Sequence, residues 1–204
     1  MAGQLPLEEV YGARLELIRP DRAAVERIGR RYVETALPHA RDLVAALQAL
    51  GKRVAIVSGG LLPPVRALAA HLGVPADEVD AVAVFFGPDG AYAGFDVDSP
   101  LARAGGKLEV LRELAEGEQA RPPVALVGDG ATDLEAAPAC ARFVAFGGVA
   151  RREAVFAGAD VSCDVPDLAA LLPLLISSQE QAILAAHPTH AALVRAASNL
   201  SSPR

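Results

Sequence analysis

Three times in this chain a short apolar run breaks into a glycine-containing turn: VAIVSGG at residues 54–60, ALVGDG at 125–130 and FVAFGG at 143–148. Apolar runs without polar alternation are the mark of strands buried on both faces, and parallel strands need helical crossovers between them. The helical patterns that separate the runs meet that need. The chain is therefore confined to an α/β class built on a parallel sheet, with candidate strands at residues 53–57, 124–127 and 143–146.

The punctuation between these runs is consistent with that class. Ala40, Leu43, Val44, Leu47 and Leu50 recur at helical spacing, with Pro38 ahead of them and Gly51 just beyond, which predicts a well-bounded crossover helix. A second helix is predicted from Pro63 and Pro64 through Val65, Leu68, Ala69 and Leu72 to Gly73, proline opening and glycine closing it. Residues 81–98 read differently, because AVAVFF and AYAGF flank Gly87-Pro88-Asp89-Gly90, the signature of an antiparallel hairpin. A third helix is expected over residues 107–115, and a short one after GDG that Pro138 limits. Within the first 35 residues, Val10, Tyr11, Leu17 and Ile18 form one stripe and Val25, Ile28 and Tyr32 another, predicting two helices broken at Pro20-Asp21. The tail from Ser177 onward is alanine-rich and permits helix, and its last residues are expected to fray.

Composition removes several classes of function. The net charge is −6 with basic residues scattered, so there is no electrostatic footprint for nucleic acid. The two cysteines, Cys140 and Cys163, lie in no metal-ligand spacing and read as reduced, buried thiols of a cytoplasmic protein. The opening residues carry two acids and no apolar core, unlike a secretory signal. The apolar stretch at 168–176 is short and holds Pro173, far below the ~20 residues of a membrane span.

Four local features could carry chemistry. Asp129 and Asp133 of GDGATD follow an apolar strand at its C-terminal end, where parallel sheets bind ligands. Hard oxygens there suit Mg²⁺, and Gly128 and Gly130 allow the backbone to approach an ion. The same two aspartates would serve equally well as turn former and helix cap. Ser58, Gly59 and Gly60 offer a hydroxyl and N–H groups ahead of a helix, a place for phosphate, though a capping serine with flexible glycines is the plainer explanation. Lys107 follows Gly105-Gly106 at a helix start, where a cation opposes the helix dipole unless an anion offsets it. Otherwise it is an ordinary solvated lysine. Arg14 falls on the apolar stripe between Val10 and Ile18 and could clamp a carboxylate or simply snorkel from the helix.

The order SGG, GGK, GDGATD resembles the second to fourth motifs of the haloacid dehalogenase (HAD) superfamily phosphatases. Within that superfamily RLELIRP at 14–20, YAGFD at 92–96, GGK at 105–107, GDGATDLEA at 128–136 and FVAFGG at 143–148 resemble the phosphoserine phosphatases over residues 1–175 or so. The resemblance implies a Rossmann-like parallel sheet with helices on both faces, the remnant of a helical cap at 1–33, a HAD-like core at 34–176 and a helical or partly disordered tail at 177–204. It implies Mg²⁺-dependent hydrolysis of O-phosphoserine to serine and phosphate, a step of serine biosynthesis, through an aspartyl-phosphate. Asp129, Gly130 and Asp133 are then the metal residues, with Asp133 acting through a neighbouring ligand or water. Ser58, Gly59, Gly60, Lys107 and Thr132 contact the phosphoryl group, Arg14 takes the substrate carboxylate, and Met1 and Gly3 are remnants of the binding wall. The expected partner is a small molecule, with oligomeric state left open, a homodimer included.

One motif departs from the resemblance. The family's DxDxT/V, with the nucleophile and the general acid/base, should stand on a strand ahead of Arg14, and no such sequence is there. Asp96-Val97-Asp98-Ser99 has the look of the motif but follows the hairpin, which makes it a coincidence of sequence. In this fold that strand is central, between those ending near Ser58 and Asp129, so the chain is expected to lack turnover and to be unstable or aggregate alone. Two other readings stay open: a non-catalytic phosphate-binding relative, and a phosphatase or phosphotransferase for another small phosphomonoester.

Overall fold

The computed structural model describes residues 7–115 and 123–201. In chain order the elements are α1 (Leu7–Ile18), α2 (Arg22–Glu34), α3 (Ala40–Ala49), β1 (Ile56–Leu61), α4 (Leu62–Leu72), β2 (Val79–Val82), β3 (Val84–Phe86), β4 (Tyr92–Phe95), α5 (Gly106–Ala115), β5 (Ala125–Gly128), α6 (Ala131–Ala136), β6 (Arg142–Phe146), α7 (Glu153–Ala157), β7 (Val161–Cys163), α8 (Leu172–Leu175), α9 (Ser178–Ala186) and α10 (Ala191–Ser201). They fall into two compact units, residues 1–35 with 55–121 and residues 36–54 with 122–204. The expected α/β class with parallel strands is present: β1 pairs with β2 in parallel, and β5, β6 and β7 form a second parallel ladder in that order.

In the first unit, Asp21 ends the break after α1 and caps α2 by accepting from the Ala24 N–H at 2.6 Å. α2 then lies close against α4, because a Cβ on Gly29 would sit 3.1 Å from the Ala67 Cβ. Val25 is buried with Leu15, Val84 and Tyr92. The expected stripe on α1 is corrected here: Leu17 and Ile18 are 86% and 67% exposed, while Tyr11 and Leu15, four residues apart, face the core. The hairpin forms as β3 and β4, turning at Gly90 with φ 83°. The apolar run 81–86, expected as one arm of the hairpin, is divided: Val79–Val82 belongs to the parallel ladder and only Val84–Phe86 to the hairpin. A continuous apolar run carries no mark of where one pairing ends and the next begins.

The second unit opens on α3, which closes as its sequence predicts. The Lys52 N–H donates to the Leu47 carbonyl at 3.0 Å and that of Gly51 to the Gln48 carbonyl at 2.9 Å, with Gly51 at φ 75°, the glycine-closed helix end that satisfies two orphan carbonyls. The core joins Leu43, Ala46, Val144, Leu171, Leu172, Leu184, Leu193 and Ala197. α9 and α10 are packed into this core. Ser177 and Glu180 form a capping box at the start of α9, and Lys52 Nζ reaches Glu180 Oε1 at 2.6 Å. Cys163 is buried and Cys140 half-buried, both as free thiols, with burial raising both above the usual thiol range. That suits packing over reactivity. Among the described residues no helix is long and apolar enough to cross a membrane.

Candidate active site

Ser58–Gly60 is not the turn that the sequence suggests. It lies inside β1, which starts later than expected, at Ile56, and runs to Leu61 with α4 following at once. The ladder with β2 slips there: Ser58 faces Ala81, yet Leu61 faces Val82. Two residues are therefore looped out of register, as in a bulge. Ser58 Oγ accepts the Gly60 N–H at 3.0 Å, which leaves the hydroxyl proton available to another acceptor.

The Gly105-Gly106-Lys107 turn reaches the same place in this unit. Gly105 has φ 74°, a conformation that costs glycine little. A Cβ on Gly106 would lie 1.6 Å from the Pro100 carbonyl oxygen, and one on Gly59 3.2 Å from that of Leu101. The one-turn 3-10 helix Pro100–Ala102 is thus wedged between the two glycine segments, which is how this unit brings Ser58–Gly60 and the start of α5 together. The Arg103 guanidinium donates to both oxygens of Glu109, at 3.0 and 2.8 Å, and ties the first turns of α5. Lys107 is the second residue of α5 and is half-buried. Asp96 follows the antiparallel strand β4, and its carboxylate accepts the Asp98 N–H at 3.1 Å. DVDS therefore stands at no parallel strand end.

In the second unit β5 ends at Gly128, and the acidic pair divides its work. Asp133, 5% exposed, turns Oδ2 back to accept the N–H of Asp129 at 3.1 Å and of Gly130 at 2.8 Å. A carboxylate accepting two backbone amides fixes the loop firmly. Gly128 is demanded by the same brace, since a Cβ there would fall 2.2 Å from Asp133 Cγ. Asp129 is thereby projected from the strand end with its side chain half-exposed. Thr132 is half-buried on the first turn of α6.

The remaining predicted residues divide clearly. Arg14 is exposed on α1, not in the apolar stripe that the spacing suggested. Met1 and Gly3 lie outside the described residues. Sequence reasoning missed Arg152, whose Nη1 donates to the Asp129 carbonyl at 2.9 Å and pairs with Asp129 Oδ2. A signal was available: two arginines follow FGG at the end of β6, whose Ala145 sits opposite Gly128 in the ladder. Gly147 and Gly148 in that turn are close-packed, since Cβ atoms there would come within 2.5 Å of Phe156 and Phe146 ring atoms.

The donor set fits a Mg²⁺ ion in part. Asp129 offers a hard, accessible carboxylate, whereas Asp133 spends Oδ2 on amides, and among the described residues no group of three or more acidic, histidine or cysteine side chains is placed to hold a metal ion. Mg²⁺ is satisfied by one or two carboxylates with waters and phosphate oxygens completing its shell.

The chain as a whole is similar to known proteins. The family of haloacid dehalogenase-like hydrolases matches residues 6–138. The phosphoserine phosphatase of Mus musculus is 39% identical over 155 residues, covering 76% of this chain and 68% of its own length. The chloroplastic phosphoserine phosphatase of Arabidopsis thaliana is 37% identical over 162 residues, covering 78% of this chain. The chain spans only 55% of that plant relative's length. Among solved structures, a substrate-bound phosphoserine phosphatase complex superposes with a TM-score of 0.69 at 24% identity, over 86% of this chain and 80% of its own. A phosphoserine phosphohydrolase-like protein from Francisella tularensis does so at 0.73 and 20% identity, over 84% and 78%. At such identities the superpositions speak for the fold alone, while the family match and the mouse relative carry kinship: the chain belongs to the haloacid dehalogenase-like hydrolases, in their phosphoserine phosphatase branch.

Proposed function

We propose that this chain carries the substrate-holding and metal-holding parts of a Mg²⁺-dependent phosphoserine phosphatase of the cytoplasm, acting in serine biosynthesis. The observation that carries the reading is the braced acidic turn, in which buried Asp133 holds the loop amides so that Asp129 alone stands out from β5. In this reading Ser58, its lone pair taken by Gly60, donates its hydroxyl to a phosphoryl oxygen, and Gly59 and Gly60 line the same place. Lys107 offsets phosphate charge from the start of α5, Thr132 adds a hydroxyl, and Arg14 takes the substrate carboxylate. Asp129, with Gly130 beside it and Asp133 behind it, holds Mg²⁺, which supplies charge neutralisation to the phosphate when bound. Met1 and Gly3 belong to the binding wall, with residues 1–33 as a cap remnant, 34–176 as the core and 177–204 as a tail.

No DxDxT/V precedes Arg14, so we assign no nucleophile and no general acid to these residues. The test is to supply a DxDxT/V strand ahead of residue 1 and assay phosphate release from O-phosphoserine with Mg²⁺. Turnover that falls at least tenfold in Lys107→Ala and Asp129→Asn supports the reading, at about 1.4 kcal/mol or more of transition-state stabilisation each. In that protein Arg14→Ala should impair phosphoserine far more than phosphoethanolamine, which lacks the carboxylate. Equal losses would remove Arg14 from the site. Tight phosphate binding without turnover in the extended protein would favour the non-catalytic relative instead.

A further inference from the structure

We propose that Arg152 is the resident counter-ion of Asp129, holding the carboxylate where a divalent cation would and competing with that cation for it. The inference rests on Asp129 being the metal-binding carboxylate. Its observations lie within one unit. Arg152 Nη1 engages Asp129 twice, at the backbone carbonyl and at Oδ2, and these oxygens are the hard donors that a cation at this strand end would want.

The neighbouring side chains direct this arginine and not the other. Arg151 is already committed, its Nε donating to Glu153 Oε1 at 2.8 Å and its guanidinium standing 4.1 Å over the Phe156 ring. The close-packed glycines 147 and 148 lie in the turn from β6, and Arg152 beyond them meets Asp129 just past the end of the adjacent strand β5. A guanidinium is permanently charged, so the arginine stays a resident cation that a stronger cation or salt displaces. Asp133, by contrast, is buried and amide-bound. The arrangement gives a low-metal state in which Asp129 is neutralised, and it lowers apparent metal affinity by the strength of a half-exposed ion pair.

The test is calorimetric titration of the whole chain with MgCl₂ and, separately, MnCl₂, which reads metal binding without any turnover. Arg152→Ala should bind either ion about two- to fivefold more tightly than the wild type, the range an accessible ion pair supports. Arg152→Lys, a point charge without the planar fork, should fall between them. Unchanged or weaker binding in Arg152→Ala, or no binding in either protein, overturns the proposal. Asp129→Asn separates the two inferences. If it retains metal binding, the assignment of Asp129 fails; if it abolishes binding while Arg152→Ala matches wild type, only the counter-ion role fails.

Discussion

The Ser58–Gly60 segment inside β1 and the Gly128–Asp133 turn after β5 are both glycine-rich stretches of parallel strands or their ends, and they are held in opposite ways. The first is a slipped stretch of β1 whose six residues are all half-exposed, fixed locally by one 3.0 Å bond from Gly60 to Ser58. The second is cross-braced by a buried carboxylate that binds two amides and leaves no room for a side chain on Gly128. The strands behind them differ likewise. β6 is buried at Phe143, Val144 and Ala145 between two ladder partners, whereas β1 and β5 each have one partner among the described residues. A turn that must present one carboxylate at a fixed angle needs a rigid brace. In the proposed function the Ser58 hydroxyl has only to close on a phosphate, which a softer strand can carry.

The largest effect that would sharpen this contrast is Gly128→Ala. Its Cβ at 2.2 Å from Asp133 Cγ forces the buried carboxylate off its amides, at about 3 kcal/mol by overpacking and lost bonds together. Gly60→Ala meets Ser58 Oγ at 3.1 Å, an end atom that can rotate away, and should cost under about 1 kcal/mol. Paired urea melts that rank them the other way would break the comparison. Asp133→Ala comes next, at about 2 kcal/mol, because two N–H groups lose a charged acceptor. Hydrogen exchange at Asp129 and Gly130 should accelerate in that variant while exchange at Gly60 stays unchanged.

A smaller effect is expected with pH in the braced unit. Hydrogen bonding to Lys52, and then to the Ser177 backbone and hydroxyl, holds the Glu180 carboxyl down at about 2. A depressed folded-state value contributes stability that is fully present above the ordinary carboxylate range and is lost as pH falls from about 4.5 toward 2. Solvent screening keeps this contribution to about 1 kcal/mol or less. Thermal melts of Glu180→Gln should show a correspondingly smaller loss between those pH values than the wild type. Parallel melting curves would remove the pair from the account.

Much of this was legible in the sequence, for identifiable physical reasons. Gly51 and Gly73, both at positive φ, announce helix ends because few other residues tolerate that backbone. Pro20-Asp21 marks the break before α2, and the spacing of Asp129 and Asp133 places both on one turn. What stayed hidden depends on partners distant in sequence. The splitting of residues 79–86 between two sheets depends on which neighbours are present, and the inward turn of Leu15 in place of Leu17 and Ile18 depends on where α1 packs. Arg152 acquires its role only through a ladder that sets β6 beside β5. The Ser58 slip is likewise a property of the pairing with β2 and not of the tripeptide.

In the proposed function these residues hold substrate and metal contacts, and no DxDxT/V stands ahead of Arg14. The most direct measurement is ³¹P NMR of O-phosphoserine mixed with the chain and MgCl₂. The phosphoserine resonance should broaden or shift, less so with Ser58→Ala, while no inorganic phosphate accumulates. Growth of an inorganic phosphate signal, or a phosphoserine resonance indifferent to the protein, would contradict it.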